Sequence, residues 1–99
     1  MKAIGVVDDD RSIRWVLEKA LQRENLPFRM FEDAADVIAA LQAESPSVLL
    51  SDIRMKGTSG MELLHTVKKE HPEVPVIIMT AFSDLDSAVN AFQGGAYEY

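Results

Sequence analysis

Val48-Leu49-Leu50-Ser51-Asp52-Ile53-Arg54-Met55 is an apolar run with a carboxylate at its end, and its reading decides the fold. Uninterrupted apolar residues at Val48, Leu49 and Leu50 describe a strand buried on both faces, since a half-exposed strand would alternate. Asp52 then stands at the carboxyl end of that strand, and Lys56-Gly57-Thr58-Ser59-Gly60 turns the chain away from it. In open α/β sheets this edge gathers strand ends and helix N-termini around one crevice, where ligands bind. A single Asp reads more readily as a turn residue or a helix cap. Two further polar strand ends in the same chain change that weighting.

Upstream, Ala3-Ile4-Gly5-Val6-Val7 is a second apolar, β-branched run, and it ends in Asp8-Asp9-Asp10. Residues 12–24 carry Ile13, Val16, Leu17, Ala20 and Leu21 at helical spacing, with Asn25 and Pro27 as stop signals. Trp15 lies off that stripe; packing against a neighbouring loop is favoured over a partner surface. Residues 28–31 form a short strand, and Asp33 caps a helix through Leu41 whose inner face is Val37, Ile38 and Leu41. Ser45-Pro46 marks the return to the central strand.

Downstream, Ser59 and Glu62 have capping-box spacing and open a helix with Leu63, Leu64 and Val67 inward. Lys68 and Lys69 suit its negative C-terminal end, and His65 and His71 read as surface residues rather than metal ligands. Pro75-Val76-Ile77-Ile78-Met79 is a fourth strand ending at Thr80-Ala81. Ser83-Asp84-Leu85-Asp86 resembles another capping box, its helix ends at Gly94-Gly95, and Ala96-Tyr97-Glu98-Tyr99 begins a fifth strand.

Strands and helices therefore alternate with short connections, which implies a parallel sheet with right-handed crossovers and helices on both faces. The continuously apolar strands at 3–7, 48–50 and 76–79 should be central and the other two edges. The expected fold is an α/β doubly wound parallel sheet of flavodoxin-like strand order 2-1-3-4-5. It sets the acids after the first strand beside Asp52.

Composition bounds the remaining classes. Ninety-nine residues, 47% of them hydrophobic, make a single domain over residues 1–99. No run is long enough to span a membrane, Met1-Lys2-Ala3 is no leader pattern, and a cytoplasmic location is expected. With no cysteine there are no disulfides, thiolate metal sites or cysteine nucleophiles. A net charge of -6 opposes direct contact with a nucleic-acid backbone.

The expected crevice collects Asp9, Asp10, Asp52 and Thr80. Like charges about 4 Å apart repel by ~1 kcal/mol in water and by more in a less polar site, so gathered carboxylates need a cation or protons. An all-oxygen donor set without Cys or His suits Mg²⁺, which retains waters and often bridges to phosphate. That points to phosphoryl chemistry with Asp52 as nucleophile, Asp10 as the principal metal ligand, Asp9 as a second ligand through water, and Thr80 as a hydroxyl donor. Each has a structural competitor: Asp10 can cap the following helix, Thr80 can satisfy a strand-end backbone group, and Asp8 reads as a loop or capping residue.

Together, Val7-Asp8-Asp9-Asp10, Ser51-Asp52-Ile53-Arg54-Met55, Met79-Thr80-Ala81 and Gly95-Ala96-Tyr97-Glu98-Tyr99 resemble the receiver domain of bacterial two-component response regulators. Ser12-Ile13-Arg14-Trp15-Val16-Leu17-Glu18 and residues 77–86 resemble, more narrowly, receivers of the nitrogen regulatory protein C type. The resemblance implies phosphorylation of Asp52 by a sensor histidine kinase, with Mg²⁺ held by Asp9, Asp10, Asp52 and the backbone carbonyl of Arg54. It also implies a phosphoryl hydrogen bond from Thr80, an aromatic switch at Tyr99, and a signalling face on the helix from Asp84 and the last strand. That face would control a transcription-activating output domain, and the receiver would not be a turnover enzyme.

Two departures stand out. Lys56 replaces the Pro of many such receivers, and the sequence stops at Tyr99, before the Lys-Pro segment and last helix of the family. A fragment lacking that helix is expected to leave a sheet face open beside the helix of residues 12–24, and either to form homo-oligomers through it or to be unusually soft. The alternatives are a phosphorylation-impaired interaction module, and a phosphatase using Asp52 covalently. The second lacks a general acid two residues on, where Arg54 stands.

Overall fold

A computed structural model describes residues 2–53, 55 and 57–79. Within them the order is β1 (Ile4–Val7), α1 (Arg11–Arg23), β2 (Phe28–Phe31), α2 (Ala34–Ala43), β3 (Leu49–Asp52), α3 (Gly60–Glu70) and β4 (Val76–Met79). The strands form one parallel sheet in the order β2-β1-β3-β4, which are the first four places of the expected arrangement. The expected fifth strand, with Tyr99, and the helix from Asp84 lie outside the described residues.

Local chemistry explains the element ends. Asp33 caps α2 by accepting the Asp36 N–H at 2.9 Å, and Ser59 caps α3 by accepting the Glu62 N–H at 3.2 Å, as the capping spacing predicts. α1 ends where Asn25 takes a positive φ of 56°, a conformation that Asn tolerates better than most residues. Lys68 folds back from α3 to donate to the Val74 carbonyl at 2.8 Å, tying the helix to the approach of β4.

The core lies on one side of the sheet. Leu63, Leu64 and Val67 of α3 and Val37 and Leu41 of α2 pack with Val7, Leu49, Val76 and Ile78. On the other side cover is thinner: no residue of α1 is buried, and Ile13, Trp15 and Val16 are 43%, 60% and 55% exposed. The expected inner stripe of α1 is thus largely open. β1 is buried along its whole length, but β3 and β4 alternate buried with half-buried residues, so Leu50 and Ile77 keep partial exposure. Continuous apolarity correctly marked these as strands of a parallel sheet; burial on both faces holds for β1 only.

His71 corrects a second expectation. It is half-buried at the end of α3, its Nδ1 3.9 Å from a Glu73 carboxylate oxygen and its Nε2 shut off from solvent without a hydrogen bond. His65 is exposed, as read.

Candidate functional site

Parallel pairing sets what meets at the carboxyl edge. Val7 pairs with Ser51 across β1 and β3, so one residue further along each strand Asp8 comes level with Asp52. On the far side Asp52 pairs with Met79 of β4. Three carboxylates converge here: Asp8, Asp9 and Asp52 each offer an oxygen, and these atoms all lie within 4.8 Å of one another.

This set differs from the expected one by a single residue. Asp9 and Asp52, both expected in this crevice, are joined in the cluster by Asp8 rather than by Asp10. Asp10 is exposed and is the N-cap of α1, accepting the Ser12 N–H at 2.8 Å and the Ile13 N–H at 3.3 Å. An Asp in that position turns a carboxylate oxygen toward the first turn of its own helix. Asp10 thus caps α1, and Asp8, expected as a loop or capping residue, stands in the carboxylate cluster.

Asp8 is the buried member, at 4% exposure. One of its carboxylate oxygens accepts the Asp10 N–H at 2.8 Å, and its own carbonyl accepts from the Arg14 guanidinium at 2.6 Å. Burial pushes the Asp8 carboxyl above its ordinary value of 3.8; the Asp10 N–H pulls it back, and the charges of Asp52, Asp9 and Asp10 push it up again. Desolvation and like charge both disfavour the ionised form of this carboxyl, and an all-carboxylate oxygen set fits a hard divalent cation. Thr80, Arg54 and Lys56 lie outside the described residues.

Sequence reading missed Asp8 and Arg14. The register would have exposed Asp8, because apolar runs ending at Val7 and Leu50 bring the first residues beyond them close together. Arg14 had no comparable signal, since its contact depends on how α1 leaves the strand. An apolar cleft lined by Ala3, Gly5, Val37, Leu41, Pro46 and Leu49 includes none of these acids.

A parallel, doubly wound sheet with acids clustered at the ends of β1 and β3 defines a class of α/β switch and nucleotide-type folds. The family model described as "Response regulator receiver domain" matches residues 4–99, and the chain belongs to that family. It is 59% identical over 96 residues to the "DNA-binding transcriptional regulator NtrC" of Proteus hauseri, covering 97% of this chain and 20% of that protein. The counterpart from Escherichia coli (strain K12) is 57% identical over the same length and share. Among solved structures, the beryllofluoride-activated receiver domain of NtrC superposes with a TM-score of 0.82 at 55% identity, covering all of this chain and 82% of that one. The chain thus spans about a fifth of the curated relatives it matches.

Proposed function

We propose that this chain is the phosphoacceptor module of a two-component regulator of the nitrogen regulatory protein C type. The observation that carries the reading is the convergence of Asp8, Asp9 and Asp52 at the ends of β1 and β3. Asp52 receives a phosphoryl group from a sensor histidine kinase. Its carboxylate oxygen forms the bond to phosphorus while the bond from phosphorus to the kinase imidazole nitrogen breaks, the electron pair leaving with the imidazole.

Asp8 and Asp9, with Asp52, would hold Mg²⁺, and the backbone carbonyl of Arg54 is a further ligand by the family resemblance. Bound Mg²⁺ would supply the positive charge that offsets these acids and the transferring oxygens. Asp8 then acts through its charge, held in place by the Asp10 N–H and by Arg14 at its carbonyl. Thr80 donates its hydroxyl to the phosphoryl group, and Tyr99 with the helix from Asp84 forms the responding face. Phosphorylation replaces the single negative charge of the Asp52 carboxylate with a phosphoryl group of about −2, and the added charge and acceptor oxygens bias that face between two states; an output domain that controls transcription reads the change.

Beyond its own phosphorylation the module catalyses nothing, and it works as one domain over residues 1–99 in the cytoplasm. Among the described residues no helix is long and apolar enough to cross a membrane. Partners are the kinase and the output domain, with no direct contact to nucleic acid; the -6 charge supports that last point.

The test is titration with Mg²⁺ and beryllofluoride, a phosphoryl mimic, followed by backbone NMR of the native chain and of Asp52→Asn. Shifts at Asp52, Thr80 and the helix after Asp84 that disappear in the variant support the reading. Saturable Mg²⁺ binding with no beryllofluoride response would instead favour a phosphorylation-impaired interaction module. The open faces of Ile13, Trp15 and Val16 are the observation that keeps this second reading in play.

A further inference from the structure

The backbone of Asp52 and Ile53 is held from three sides. In the sheet Asp52 pairs with Met79, and the next N–H, that of Ile53, donates to the Met79 carbonyl at 3.0 Å. From β3 itself the hydroxyl of Ser51, a fully buried side chain, donates to the Asp52 carbonyl oxygen at 3.0 Å. From α3, the Gly60 N–H donates to the Ile53 carbonyl at 3.0 Å.

Gly60 sits unusually close. A Cβ there would overlap the Asp52 carbonyl oxygen and stand 2.7 Å from the Ile53 Cα and 2.9 Å from the Asp52 carbonyl carbon. These are backbone atoms, which cannot rotate aside as a long side chain would. Any larger residue must therefore lift the first turn of α3 or shift the Asp52 peptide. Ser51 is likewise a polar side chain in an apolar layer, and the hydrogen bond it makes goes to the residue that carries the chemistry.

We infer that Ser51 and Gly60 are positioning residues for Asp52. The Ser51 hydroxyl pins the Asp52 carbonyl, and the missing side chain of Gly60 lets α3 seat against it, so the Asp52 carboxylate is aimed at Asp8 and Asp9 from behind. Neither touches the phosphodonor; both act through the direction of the nucleophile. In-line attack tolerates little misplacement, with about 1 Å costing on the order of a hundredfold in rate. The inference rests on Asp52 being the phosphoacceptor.

The experiment is phosphorylation of the full chain by acetyl phosphate with Mg²⁺, followed by intact mass, for wild type, Ser51→Ala, Gly60→Ala and Asp52→Asn. In this step an Asp52 oxygen bonds to phosphorus as the bond from phosphorus to the acetyl oxygen breaks, its electron pair leaving with acetate. Expected are an initial rate lowered about tenfold or more in Gly60→Ala and about threefold in Ser51→Ala. Calorimetric Mg²⁺ affinity should fall less than the rate does in Ser51→Ala, because two of the three carboxylates of the cluster, Asp8 and Asp9, do not depend on Ser51. Should Gly60→Ala fail to fold, Ser51→Ala decides. Wild-type rates in folded variants overturn the inference, and so does a rate that falls only in step with Mg²⁺ affinity and urea midpoint, the mark of a purely structural role. A wild type that takes up no phosphoryl group overturns the phosphoacceptor reading itself, and the inference with it.

Discussion

Asp8 carries the sharpest consequence at the scale of single residues, because its raised pKa has a sign. A carboxyl whose folded pKa lies above its unfolded value stabilises the fold only while protonated; that contribution is present below the unfolded value and lost as pH rises through the folded one. Near neutral pH and without metal, Asp8 therefore holds an unfavourable charge. Asp8→Asn keeps the oxygen that accepts the Asp10 N–H and removes the charge, so it should raise stability by on the order of 1 kcal/mol in urea denaturation. The gain should shrink as pH is lowered through the folded pKa, and Mg²⁺ should offset it by stabilising the wild type more than the variant. A gain that persists unchanged in acid would contradict the electrostatic account. Asp9 and Asp10 separate in the same way. Asp10→Ala should cost about 1 kcal/mol of stability through the lost cap while sparing Mg²⁺ affinity, and Asp9→Ala should do the opposite. Calorimetric titration beside thermal melts checks both.

Among the elements, α3 and α1 contrast most. α3 buries Leu63, Leu64 and Val67 completely and delivers Gly60 to the back of Asp52. Leu64→Ala should cost about 2–5 kcal/mol by urea denaturation, with loss of the Asp52 response following from the displaced helix. α1 buries no residue, and its attachment to the site is polar, through the Asp10 cap and the Arg14 bond to Asp8. Trp15→Ala should change stability by less than about 0.5 kcal/mol, the Lys19 ammonium 5.8 Å from its ring centroid notwithstanding. A loss near that of Leu64→Ala would contradict the exposed position of Trp15. The capping and punctuation signals of α2 and α3 were legible because Asp33 and Ser59 satisfy N–H groups of their own first turns, an interaction spanning three residues. The exposure of Ile13 and Val16 was not legible in their helical spacing, which says which residues share a face and nothing about what covers it.

At the scale of the whole molecule, one face of the sheet is packed and the other thinly covered. Ile13 and Val16 are exposed and Leu50 and Ile77 half-buried on the less covered side. The 99-residue chain is expected to self-associate through this side, with a mass by light scattering that rises with concentration. Val16→Asp should return it to a concentration-independent monomer with little change in intrinsic stability. A monomeric wild type at all concentrations would rule this out.

The order of elements, the parallel sheet and the placing of Asp52 at a strand end were determined by the sequence alone, since apolar runs, capping residues and breakers act over a few neighbouring positions. Asp8-Asp9-Asp10 shows where that ends. Three identical side chains in a row differ only in where the pairing of β1 with β3 stops and where α1 begins. The register put Asp8 level with Asp52, the first turn of α1 claimed Asp10, and only the assembled tertiary structure could divide the acids between a helix cap and a charge cluster.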